Sequence, residues 1–160
     1  MKPVKFPDKR YLALGLLLLS IMISTACGTK IIRGAAPMVR MNELSHQDDK
    51  ITLELSMRNP NGVALDIGNI DFNLSVDNEA LITYNGPVDT NIVANGTETW
   101  SVEVEESESS RELLNTLQNG EVKSLPYSLN GSVSTREEGN LYFGHEGHIY
   151  PLPGRPGRFR

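Results

Sequence analysis

Between Lys50 and Arg58 apolar and polar residues alternate without interruption. Ile51, Leu53, Leu55 and Met57 fall on one side, and Thr52, Glu54, Ser56 and Arg58 on the other. A period of two residues belongs to a half-buried β-strand, because successive side chains of an extended backbone point to opposite faces. The pattern returns downstream. Leu65 and Ile67, then Ile70, Phe72, Leu74 and Val76 are set against Asp71, Asn73, Ser75 and Asp77. Trp100, Val102 and Val104 alternate with Thr99, Ser101, Glu103 and Glu105, and Leu125, Tyr127, Leu129, Gly131 and Val133 share a side. Strands with one dry face must bury those faces against each other, so the chain is restricted to packed antiparallel sheets.

The punctuation between these segments agrees. Asn59-Pro60-Asn61-Gly62 ends the first, since Pro60 has no amide proton and Asn and Gly tolerate positive φ. Gly68-Asn69 reads as a bulge or bend that keeps the apolar side facing in. Asp77-Asn78 predicts a hairpin turn, Ala80 to Tyr84 a short partner strand closed by Asn85-Gly86-Pro87, and Asn95-Gly96 a further turn. Another turn falls at Arg136 to Gly139, before a last extended segment from Leu141 to about Ile149. One helix is signalled: Ser109 and Glu112 form a capping-box pattern, Leu113, Leu114 and Leu117 share a face, and Gly120 supplies a stop. The fold class is therefore mainly β, a small antiparallel β-sandwich with one α-helix, spanning residues 37–150.

The first residues have a different organisation. Lys2, Lys5, Lys9 and Arg10 precede an apolar run from Tyr11 to Ile23, followed by the small residues Ser24, Thr25 and Ala26. The run falls short of the roughly 20 residues of a membrane span, so an export signal over residues 1–26 is expected rather than a permanent anchor helix. Cys27, the single cysteine of the chain, stands directly after it. No intramolecular disulfide can form.

Ile23-Ser24-Thr25-Ala26-Cys27 resembles the lipobox of bacterial lipoproteins, with Ser24 where that pattern usually has Leu. The resemblance implies cleavage between Ala26 and Cys27 and acylation of Cys27, which would hold the protein on a membrane. Two or more acyl chains give stable anchoring where one binds only reversibly. Gly28 after the cysteine implies outer-membrane sorting if the host cell has two membranes. Residues 27–36 then read as the acylated cysteine and a short tether.

Without residues 1–26 the chain keeps 11 of its 15 basic and 19 of its 20 acidic residues, a balance of −8. That excludes nucleic acid as an expected partner, since phosphate binding requires a basic surface. Residues 151–160 are Pro- and Gly-rich with three arginines, and predict a disordered basic tail suited to contact with anionic lipid or to solvation alone.

Candidate chemistry is sparse. The chain has no Gly-rich phosphate loop, nucleophile elbow or His-Glu-x-x-His motif, so neither an enzyme nor a cofactor site is expected. His145 and His148 would point to opposite faces of a strand and make a poor metal pair. Glu103, Glu105, Glu106 and Glu108 read as a solvated face rather than paired catalytic carboxylates. Trp100 reads as a core residue.

In order along the chain, Met57-Arg58-Asn59-Pro60-Asn61, the strands through Val76, Ile92-Val93-Ala94-Asn95-Gly96-Thr97, the Leu113-Leu114 helix and Leu125-Pro126-Tyr127-Ser128-Leu129-Asn130-Gly131-Ser132-Val133 resemble the type 2 late embryogenesis abundant family. This is the water-stress and hypersensitive-response domain. Val93 departs from the Pro frequent there. The resemblance implies a sandwich similar to fibronectin type III or immunoglobulin-like domains. It also implies a non-enzymatic role in desiccation-type stress, with client proteins or envelope components as partners. The rival expectation is an envelope adaptor, or a carrier of a lipid-like ligand in a groove between the sheets.

Overall fold

The computed structural model describes residues 31–160; the expected signal segment, Ala26, Cys27 and Gly28 lie outside the described residues. Eight strands and one helix follow in the order β1 (Met38–Gln47), β2 (Lys50–Arg58), β3 (Leu65–Val76), β4 (Glu79–Ile92), β5 (Thr97–Glu105), α1 (Glu108–Gln118), β6 (Leu125–Thr135), β7 (Gly139–Ile149) and β8 (Arg158–Phe159). They build two antiparallel four-stranded sheets, β5-β2-β1-β8 and β4-β3-β6-β7.

The alternation determines which side chains meet. In the first sheet Leu53 lies between Leu44 and Val102, and in the second Leu74 lies between Ile82 and Leu129. Leu44, Leu53, Leu55, Met57, Ile70, Leu74, Leu129 and Val133 are completely buried. Each such side chain contributes about 1.5–3 kcal/mol by leaving water. Leu114 and Leu117 of α1 are buried as well, so the helix closes one end of the sandwich while carrying the chain from the first sheet to the second. Gly131 is needed where three strands crowd: a Cβ there would stand 2.2 Å from the Asp71 carbonyl oxygen and 2.8 Å from Phe72 and Phe143.

Of the bulge or bend expected at Gly68-Asn69 the structure has the bulge, with β3 shifting register between Ile67 and Asn69 against both neighbours. Asp77 and Asn78 take φ of 50° and 66°, the left-handed pair that a tight two-residue hairpin requires.

One strand escaped the sequence pattern and three expectations need correction. A strand precedes Lys50: β1 was hidden because its register slips between Met41 and Glu43, which breaks the period of two. Gly86-Pro87 does not end β4, which continues to Ile92. It is an edge strand, where a missing amide proton is tolerated. The helix is capped by Ser107, whose side chain accepts from the Ser110 amide, not by Ser109. The tail is ordered: Phe159 is fully buried, β8 pairs with β1 through Leu44 and Ser45, and Tyr150 and Arg160 exchange backbone hydrogen bonds. Composition concealed this because one buried aromatic and a few main-chain bonds are enough to dock a Pro/Gly-rich segment on an open sheet edge.

Candidate functional site

β2 ends at Arg58, β3 starts at Leu65, β4 ends at Ile92 and β5 starts at Thr97, so four strand ends meet at one end of the sandwich. Their loops enclose many main-chain polar groups, and two asparagines satisfy them. Asn59 has no exposed surface. Its Nδ2 donates to the carbonyls of Val63 at 2.8 Å, Ile92 at 3.0 Å and Val93 at 3.2 Å. Its Oδ1 accepts from the backbone N and from Nδ2 of Asn61, both at 2.9 Å. An amide supplies donors and an acceptor together, which a carboxylate cannot.

Asn61, also buried, extends the network to the segment that leads in from the predicted lipid attachment point. Its Nδ2 donates to the Ala35 carbonyl and its Oδ1 accepts from the Ala35 amide, each at 2.9 Å. The Gly62 amide donates to Ile32 at 3.0 Å, and the Asn95 amide to Asn61 at 3.1 Å. Ile32 and Ala35, within the stretch expected to be a short tether, are thus bonded to the Asn-Pro-Asn turn. Ile31, the first described residue, is four positions beyond Cys27.

A second polar cluster occupies the opposite end. Glu106 has only 2% of its side chain exposed. Its carboxylate holds His46 Nδ1 at 2.9 Å and Arg111 Nε at 3.0 Å, while Arg111 also reaches Asp49. The hydrogen bond to Glu106 and the charge of Asp49 raise the pKa of Arg111 above its ordinary value. The His46 amide donates to the Gly157 carbonyl, and the Gly157 amide to Gln118 Oε1, both at 2.8 Å. This cluster ties the β1–β2 turn, the start of α1 and the C-terminal segment together. It acts as a clamp.

The other sequence candidates divide. Glu103 and Glu105 are exposed, with Glu103 paired to Lys50, whose pKa that pairing raises. Glu106 departs from the solvated reading: it follows the last strand residue and turns inward to the His46 and Arg111 side chains. His145 stacks on Tyr127, with ring centroids 5.9 Å apart, and its Nδ1 meets the Tyr127 hydroxyl at 2.9 Å. His148 is exposed. Burial raises the pKa of the Tyr127 hydroxyl. Among the described residues no group of three or more His, Cys, Asp or Glu is placed to hold a metal ion. Trp100 packs against the core with its indole N–H shielded and unpartnered.

Sequence reasoning identified Asn59 and Asn61 as turn residues only. It missed the His46–Glu106–Arg111 cluster because its members are far apart in the chain. An open depression of about 380 Å³ near the β3 bulge is lined by Asp66, Asp89, Asn91, Ser134 and Arg136 among others, and is polar in character.

No curated protein sequence matches the chain. Its fold is similar to that of an Arabidopsis thaliana protein solved in solution, with 15% identity, a TM-score of 0.54, and coverage of 82% of this chain and 91% of that one. A late embryogenesis abundant (LEA) protein solved in solution matches at 15% identity and a TM-score of 0.48, covering 89% of this chain and 85% of that one. A crystal structure of a protein from Archaeoglobus fulgidus matches at 13% identity and a TM-score of 0.44, covering 71% of this chain and 95% of that one. The family model for late embryogenesis abundant protein matches residues 54–139, more than half of the 160 residues, from within β2 to the β6–β7 turn and including both node asparagines. The chain belongs to the late embryogenesis abundant type 2 (LEA_2) family.

Proposed function

We propose that this protein is a lipid-anchored member of the family at the cell envelope, protecting proteins or membranes there from dehydration-type stress without catalysis. The family match carries the reading. The stretch from Ile23 to Cys27 supports the anchor, and Gly28 supports the outer membrane as its location in a cell with two membranes. In this reading the sulfur of Cys27 carries a diacylglyceryl group, the amino terminus freed by cleavage after Ala26 carries a further acyl chain, and the domain stays on the membrane.

The packing favours protection over carriage of a lipid-like ligand. A carrier requires an apolar space between the sheets. Here Leu53, Leu55, Phe72 and Leu74, which face that space, are at most 1% exposed.

Two experiments test the reading in parts. Cys27→Ser should move the protein from the membrane fraction to the soluble fraction; continued sedimentation with membranes removes the acyl anchor from the reading. A labile enzyme dried with residues 29–160 should recover more activity than with an equal mass of albumin. Recovery no better than albumin would leave the domain as an adaptor for an envelope partner.

A further inference from the structure

The exposed aliphatic residues are unevenly placed. Among the described residues the large exposed apolar side chains are Ile31, Ile32, Met38, Val93, Tyr142 and Tyr150. All four aliphatic ones lie around the asparagine node. Ile32 is bonded through its carbonyl to the Gly62 amide, and Ile31 lies against Gly62, whose added Cβ would be 3.0 Å from Ile31 Cγ2. Met38 is paired with Arg58, next to Asn59, and Val93 offers its carbonyl to Asn59 Nδ2. Ile31 is 57% exposed, Ile32 54% and Val93 62%.

We propose that this rim is a membrane seat: Ile31, Ile32, Met38 and Val93 enter the headgroup region of the bilayer and hold the sandwich end-on, with α1 and β8 directed away. The inference rests on acylation of Cys27. Ile31 is four positions beyond Cys27, a reach of at most about 14 Å, so an acylated cysteine confines this end of the sandwich to the bilayer surface. Apolar side chains held there enter the boundary between headgroups and acyl chains, about 5–10 Å deep. The node makes the seat rigid, because Asn61 holds Ala35 by both its amide and its carbonyl.

Charge does not drive the contact. Arg33, Arg58 and Arg136 at this end are outnumbered by Asp66, Glu98, Glu137 and Glu138. Arg158, by contrast, pairs with Glu43 and belongs to β8, beside the half of β1 remote from Ile31. The seat is therefore apolar and insensitive to salt, and the C-terminal arginines are no part of it.

The test uses the full chain, expressed with its own signal, purified and reconstituted in vesicles of phosphatidylethanolamine and phosphatidylglycerol carrying a nitroxide-labelled lipid. A fluorophore is attached through Val93→Cys or, at the opposite end, Glu79→Cys; an acylated Cys27 does not react. Quenching at position 93 should exceed that at 79 by about threefold or more, and should persist at high salt. Equal quenching at the two positions in acylated, vesicle-bound protein overturns the seat and leaves the anchor standing. A mass spectrum of the purified protein without acyl groups overturns the anchor and the seat with it. Shielding of position 93 that persists in detergent and grows with protein concentration assigns the rim to a second copy of the chain instead.

Discussion

The Asn59 amide is enclosed by three carbonyls from two loops, and its oxygen by the amides of Asn61, with no surface left for water. Asn59→Ala leaves those groups buried without partners, each costing about 1–3 kcal/mol. Partial relaxation of the loops brings the expected loss to about 3 kcal/mol, read as a lower urea midpoint with an unchanged slope. Asn59→Asp should be no better, since a carboxylate has no proton to offer the carbonyls of Val63, Ile92 and Val93. Glu106→Ala acts differently. It strands His46 and Arg111, but Arg111 is 42% exposed and can be hydrated in place. The expected cost is about 2 kcal/mol by the same titration, smaller than at Asn59. These roles were half legible in the sequence. Asn59-Pro60-Asn61 announces a turn through its own chemistry, whereas the partnership of Asn61 with Ala35, 26 positions away, leaves no local mark. The burial of Glu106 is equally silent, because a charged residue just past a strand ordinarily stays in water.

At the scale of elements, the legible strands were those with an unbroken period and turn chemistry at their ends: β2, β3, β5, β6 and β7. Two kinds of element escaped. β1 has a bulge at its centre, so Val39 and Leu44 both face the core although five positions apart, which strict alternation would forbid. β8 is too short to have a period at all. Phe159 nevertheless packs beside His46, with ring centroids 6.1 Å apart, and pairs with Leu44. Phe159→Ala should cost about 3–4 kcal/mol, the usual range for emptying a buried aromatic site. A disordered tail would show no effect, so thermal melting of this variant decides the matter. The start of α1 supplies a second contrast. The capping-box pattern points to Ser109, but the hydroxyl that accepts the Ser110 amide at 3.1 Å belongs to Ser107. Ser107→Ala should lose about 1 kcal/mol and Ser109→Ala only a few tenths, measured side by side in urea.

Across the whole molecule the two polar clusters stand at opposite ends of one filled core. β2 joins them: Asn59 follows its last residue, and Asp49, bound by Arg111, precedes its first. Nine residues of strand at about 3.3 Å each place the clusters roughly 30 Å apart. At that separation they share no partner, and changes to them should add to within about 0.5 kcal/mol. The Asn59→Ala, Glu106→Ala double variant is then expected to lose about 5 kcal/mol, close to the whole stability of a small domain. The division of labour assigns the asparagine node to the end that receives residues 32–35 and the Glu106 clamp to the helix and the C-terminal segment. It requires that neither cluster change the effect of the other. A double-mutant cycle of urea midpoints, run in a chain stabilised by an osmolyte so that the double variant still folds, measures this directly. A coupling above about 1 kcal/mol would show that the sandwich transmits strain along β2, and that fixing the asparagine-node end changes the stability of the far one.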